Sequence, residues 1–351
     1  LLMVLVGAVF MSQPAELIAA NVQLPSLETT AFANVSWELF AVLMLIMVYY
    51  ILATILPIDK IIGRFYPIFG LALIVMAVTI LFILLTKSDV YPIPELTSLT
   101  NCIAEPHKFP IVPMLFTTIA CGALSGFHAT QSPMMARCIT SEKQARSVFY
   151  GSMIAESIIA LIWAAIGMAF WGGTAGLNEA IAQNGGSAAK LVNIITDATM
   201  GDVLSVCVLV GIIGCAITSG DTAFRSARLI AADMFGISQA GLLKRVLVSL
   251  PLFMMGMLII FALPFQTIWS YFAWMNQSLA AITLWCIAVY LRKHGKPLLI
   301  GLLPAVFMTY VCSSYVFVSP MLMGIENRIL AYLLGGILTL LITALAYRKI
   351  K

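Results

Sequence analysis

Residues Phe65–Leu85 read Phe-Tyr-Pro-Ile-Phe-Gly-Leu-Ala-Leu-Ile-Val-Met-Ala-Val-Thr-Ile-Leu-Phe-Ile-Leu-Leu, twenty-one positions without a charged side chain. A helix of that length rises about 30 Å, the thickness of a bilayer's hydrocarbon core. Comparable runs recur at approximately Glu38–Ile58, Pro110–Gly126, Val148–Trp171, Asp202–Ser219, Val246–Pro264, Ile268–Leu291, Leu298–Val318 and Ile329–Tyr347. The opening run, Leu1–Met11, is too short to span and reads as the tail of a helix that begins upstream. About ten transmembrane spans or fragments are expected.

The whole composition agrees with that stretch. Of 351 residues, 62% are apolar and only 10% charged, and the mean hydropathy is +1.03. Soluble domains carry about 25% charged residues, so a cytosolic enzyme, a secreted disulfide scaffold and a disordered regulator are all excluded. Long apolar runs without short alternating segments exclude a transmembrane β-barrel, leaving helices to satisfy every backbone group. The fold class is all-α, a polytopic helical membrane protein. A net charge of +4 without a basic stripe excludes a nucleic-acid reader. Six cysteines lie in or beside apolar runs and Cys102 in a polar loop, with no CxxC or His/Cys spacing. No metal site or cofactor is expected.

Orientation follows from counting. The long polar loops are 13–37, 86–109 and 172–201, and 265–267 is a tight turn. With the first loop outside, fifteen of the nineteen Lys and Arg residues fall inside, leaving only Lys87, Lys108, Lys190 and Arg328 outside. That is the positive-inside pattern, with the C-terminus cytoplasmic.

Two stretches break the apolar rule in similar ways. The first is Gly122-Ala-Leu-Ser125-Gly126-Phe-His128-Ala-Thr130-Gln131-Ser132-Pro133. Gly122 and Gly126, at i,i+4, leave one helix face bare for another backbone. Pro133 lacks an N–H and biases Ser132 away from the helical region, so the helix is expected to break here. Backbone groups freed around Ser125, Gly126, His128, Thr130 and Gln131 suit a substrate carboxylate, as broken helices do in transporters. A histidine at this place, His128, is a side chain that can carry a proton. Glu156 lies eight residues into the next apolar run, where a carboxylate must be protonated, paired or hydrated, and is a candidate for proton coupling. The bland alternatives are hydrogen bonds to neighbouring helices.

The second stretch is Thr218-Ser219-Gly220-Asp221-Thr222-Ala-Phe-Arg225-Ser-Ala-Arg228. Asp221 and Arg225 have ion-pair spacing, and a half-helix starting at Ser219 or Asp221 would be capped. Gly122, Pro133, Ser219, Asp221 and Arg225 are structural or gating candidates. Asn276 and Gln277, in a run with Trp269, Tyr271 and Trp274, form a third polar pair.

These residues resemble the carbon starvation protein (CstA) family. The resemblance rests on Gly122–Cys138, on Val148-Phe-Tyr-Gly151 with Glu156, on Leu56–Gly70 and on Thr218–Asp233. It implies a secondary transporter of the bacterial inner membrane, importing peptides or pyruvate in the response to carbon starvation, with protons as coupling ion. It also implies kinship with the amino acid–polyamine–organocation (LeuT-like) superfamily and its inverted repeats. Residues 1–236 would be the later part of the transporter core, and 237–351 a C-terminal helical region. Family members begin with helices carrying a Gly-His-His-Phe segment that is not among these residues, so this chain alone is not expected to transport.

Two other readings compete. One is a non-transporting membrane sensor or assembly subunit, which would give no substrate-dependent uptake. An intramembrane serine protease built on Ser125 is the enzyme reading. It fails on spacing, because His128 follows Ser125 by only three residues and a base comes from another element. The sequence leaves the oligomeric state open.

The charge count makes the topology testable. A cysteine introduced into 172–201 should react with an impermeant thiol reagent on intact cells. Labelling only after permeabilisation would invert the orientation.

Overall fold

The computed structural model describes residues 1–22, 30–32, 35–55, 59–95, 100–103, 105–123 and 125–350. Leu56–Ile58 and Leu124, which belong to two of the motifs above, lie outside the described residues. Among the described residues twelve α-helices follow one another: α1 (Leu2–Asn21), α2 (Trp37–Ile55), α3 (Asp59–Thr86), α4 (Ile111–Ala123), α5 (Gly126–Ala136), α6 (Ser152–Phe170), α7 (Thr174–Gln183), α8 (Ala188–Met234), α9 (Leu242–Ala262), α10 (Phe265–Lys293), α11 (Leu299–Val318) and α12 (Arg328–Ile350). Two short strands, Thr30–Phe32 and Val35–Ser36, pair antiparallel before α2. A π-helical turn, Arg146–Gly151, leads into α6. Among the described residues nine helices are long and apolar enough to cross a membrane. The all-α polytopic expectation holds, and α4 with α5 forms a discontinuous pair.

The chain divides into two compact units, each built from separated segments. One contains Leu1–Thr97 and Ile159–Trp269, the other Ser98–Ile158 and Ser270–Lys351. The boundary expected at 236/237 was drawn from the family resemblance, not from compactness.

In the first unit α1 is the inner helix, with thirteen buried residues, packed against α2, α8 and α9. Its polar second half, expected to belong to a loop, is helical. Three polar side chains there are satisfied in place: Ser12 Oγ donates to the Val9 carbonyl, and Glu16 accepts a 2.6 Å bond from Ser187 Oγ. Asn21 bonds to Leu17 O and Asn193. Hydropathy alone cannot see those partners.

Lipid tails are as apolar as leucine, so helices in a membrane associate by close fit. The Phe224 ring on α8 lies where a Cβ on Gly7 would be, 2.4 Å from that position. Gly256 on α9 accommodates the same ring at 2.9 Å. Tyr50 and Phe253 hold the ring from the other sides, with centroids 5.6 and 4.9 Å away. A second crossing seats Phe69 and Ala72 of α3 against Gly214 and Gly211 of α8. Met76, Ile80 and Leu84 then cluster with Ile166, Ala169, Ile195 and Val208.

Two expectations for α8 are corrected. Residues 172–201 are not an irregular loop: α7 and the first turns of α8 lie there, capped by Ser187. These turns bury only Ala189, Leu191 and Ile195, with Thr196, so they read as polar. A genuine break does occur at Gly201 (φ 69°, ψ 166°), bridged by Ser205 Oγ donating to Asp197 at 2.5 Å. In contrast, α8 runs unbroken through Thr218–Arg228. Its hydroxyls bond back along the helix, Ser219 to Cys215 O and Thr222 to Thr218 O, so they do not interrupt it. Gly220 is not a hinge but a slot, for a Cβ there would lie 2.1 Å from the Tyr50 hydroxyl.

The second unit contains α4, α5, the start of α6, most of α10, and α11 and α12. Gly335 of α12 meets Ser314 of α11, and Gly301 of α11 meets the Ala288 backbone. Arg328 donates to Val318 O at 3.0 Å and to His107 O, fixing the 105–109 turn to the start of α12.

Gly7→Ala should cost about 1–3 kcal/mol, as overpacking does. Thermal unfolding in detergent of Gly7→Ala, Phe224→Leu and the double variant would check it. Strict additivity in that cycle would mean that the ring and the glycine are not coupled.

Candidate functional site

The site starts from the gap between α4 and α5. Ala123, next to Gly122, closes α4, and Ser125 is non-helical between the two helices. The break therefore falls at Ser125 and not at Pro133, which sits inside α5. The reason is a set of hydrogen bonds that only a helix start can use. Phe127 N–H donates to Ser125 Oγ at 3.2 Å, as an N-cap requires, and to Asn276 Oδ1 on α10 at 2.8 Å. Ser125 Oγ donates to the same Asn276 oxygen at 3.1 Å. Gly126 makes this approach possible, because a Cβ there would lie 2.4 Å from the Asn276 carbonyl oxygen. Asn276 is fully buried.

One turn further along α5, His128 Nε2 lies 3.6 Å from Glu156 Oε2 on α6. The separation exceeds a hydrogen bond but is well within electrostatic range. Neither side chain is deeply buried: 34% of His128 and 50% of Glu156 is exposed. Of the three states open to a carboxylate in an apolar run, pairing is the one the geometry offers: Glu156 lies beside His128 and faces a cavity of about 490 Å³.

That cavity has a polar and an apolar wall. Ser125, His128, Gln131, Ser132, Ser152 and Glu156 form the first, and Met135, Phe149, Met153, Leu284 and Ile287 the second. No Lys or Arg lines it among the described residues. Such a volume falls in the range of small-molecule sites, about 300–1,000 Å³. A carboxylate and an imidazole this close can pass a proton once they approach to hydrogen-bond distance, and the neighbouring hydroxyl and amide groups can orient a polar solute. Among the described residues, no group of three or more His, Cys, Asp or Glu could hold a metal.

The sequence candidates divide accordingly. Ser125, His128, Gln131 and Glu156 meet at the cavity. Gly126 lies under Asn276, and Thr130 Oγ1 bonds back to Phe127 O at 2.7 Å. Ser219, Asp221 and Arg225 belong to α8 in the other unit, where Asp221 and Arg225 form the expected ion pair at 2.9 Å. Asn276 was visible as one of a polar pair, but its partners, 149 and 151 residues away, were not.

Comparison with known proteins bears on this arrangement. The family described as carbon starvation protein CstA matches residues 2–209, more than half of the chain. An uncharacterized membrane protein of Haemophilus influenzae is 44% identical over 165 residues, covering 43% of this chain and 44% of that protein. The peptide transporter CstA of Helicobacter pylori is 31% identical over 147 residues, 41% of this chain and 20% of that protein. The pyruvate/proton symporter BtsT of Escherichia coli is 39% identical over 70 residues, 20% and 10% respectively. The chain spans less than half the length of these relatives. No solved structure matches.

The hydrogen bonds at the break set an order of effects. Asn276→Ala removes the acceptor of two donors and should cost about 1–3 kcal/mol, more than Ser125→Ala, which leaves Phe127 bonded to Asn276. Hydrogen exchange at Phe127, with thermal unfolding, would measure both. Equal protection in wild type and Asn276→Ala would remove Asn276 from this role.

Proposed function

We propose, from the premise that this chain belongs to the carbon starvation protein CstA family, that it forms part of a secondary transporter moving peptides or pyruvate inward with protons. The observation that carries this reading is the His128–Glu156 pair beside a broken helix, facing a cavity of about 490 Å³. The named relatives are a peptide transporter and a pyruvate/proton symporter. The site's chemistry is consistent with both the solute and the ion.

Glu156 takes up the coupling proton, and His128 at 3.6 Å exchanges it. Proton loading neutralises the carboxylate or charges the imidazole, so an anionic group on the solute is attracted only to the loaded site. Gln131 and Ser132 supply donors for that group. The backbone N–H of Phe127 does not, because Asn276 already accepts from it. The apolar wall of Met135, Phe149 and Leu284 takes the rest of the solute and limits water around the pair. The setting is the inner membrane, with the C-terminus in the cytoplasm and expression under carbon starvation.

Uptake of labelled pyruvate and labelled dipeptides by cells expressing the full-length protein tests this directly. Glu156→Gln keeps volume and hydrogen bonding but exchanges no proton. It should abolish gradient-driven accumulation while leaving solute exchange, and His128→Asn should shift the pH dependence between about pH 5 and 8. Normal accumulation by Glu156→Gln across that range would make Glu156 structural.

A further inference from the structure

The two neighbouring amides of α10 are employed differently. Asn276 is committed to the start of α5. Gln277 is equally buried, with 0% of its surface exposed, yet neither its Nε2 nor its Oε1 has a hydrogen-bond partner among the described residues. A buried amide left unpaired costs stability, and an apolar residue of similar volume would avoid that cost. Buried unsatisfied groups of this kind call for a functional explanation.

Position suggests one. Ala280, Thr283, Leu284 and Ile287 are the part of α10 on the cavity wall. At 3.6 residues per turn, Gln277 falls within about 20° of Leu284, two turns back along the helix. Its predecessor Asn276 bonds to Ser125, which lines the same cavity. Gln277 thus lies at the edge of the cavity stripe, at the end where α5 begins.

We propose that Gln277 is a specificity-determining residue of the transport site and reads an amide group of the solute. The inference rests on the transport reading above and adds to it. Oε1 accepts from the solute's peptide N–H while Nε2 donates to the carboxylate oxygen of the same, extended residue, so the C-terminal residue of a dipeptide satisfies both orphaned atoms at once. A keto acid in its ionised form has acceptors only. It can take the Nε2 donor but leaves Oε1 unpaired, and a site holding an unpaired polar group discriminates against that solute.

The test uses the full-length protein in proteoliposomes, with labelled dialanine and labelled pyruvate as probes. Gln277→Met keeps the length of the side chain and removes its hydrogen bonds. It should raise the KM for dialanine about tenfold or more, leave the KM for pyruvate near wild type, and leave the melting temperature unchanged or higher. Gln277→Glu, which removes the donor and keeps an acceptor, should also weaken dialanine uptake. Dialanine-induced thermal stabilisation in detergent, lost in Gln277→Met, reads binding without transport. The proposal is overturned if dialanine KM is unmoved, if both solutes shift equally, or if stability falls while KM holds. Wild-type uptake of pyruvate alone would overturn it and leave the transport reading standing. Uptake of neither solute above empty liposomes would remove that reading, and this proposal with it.

Discussion

A helix that begins inside a bilayer exposes backbone N–H groups where no water can take them. In this chain one side-chain oxygen, Asn276 Oδ1, takes the N–H of Phe127 and the hydroxyl of Ser125 together. The part of the cavity's polar wall that α5 supplies depends on it. Because α5 starts there, His128 follows one turn later, opposite Glu156. Gly126 is the steric condition for the contact, since any larger residue would collide with the carbonyl of Asn276. Sequence, helix start and acid–base geometry are therefore one constraint seen at three scales.

The first unit follows a related rule at an apolar crossing. Its inner helix is held by the Phe224 ring, which occupies glycine slots on α1 and α9 and is braced by Tyr50 and Phe253. In water such a cluster would gain from the hydrophobic effect, whereas in lipid its gain comes from contact density and shape. This explains the glycines at such crossings, Gly211 and Gly214 among them.

The fold was largely legible because the bilayer imposes a length and a composition that few residues can disguise. Phe65–Leu85 alone announces a span, and α3 covers it. The reading failed where polar residues sit in helices with their bonds already made. Ser12, Glu16 and Asn21 in α1, and Ser219 and Thr222 in α8, are such cases. The pairing of His128 with Glu156 was foreshadowed by the cost of a lone carboxylate in an apolar run. The position of the break was not, because Pro133 is the louder local signal and the deciding acceptor is distant in sequence. Pro133 is tolerated within α5, seven residues after the helix starts.

The distance in sequence between Ser125 and Asn276 also has a meaning in time. The ribosome adds 151 residues after Ser125 before Asn276 exists. At about 5–20 residues per second that interval lasts roughly 8–30 s. During it α5 is made directly after α4, while the acceptor that fixes their junction is still unmade. The tie from Arg328 to His107 is completed later still, across 221 residues. The second unit is thus finished by its own last helices, and the polar break must be sheltered through that interval by whatever accompanies membrane insertion.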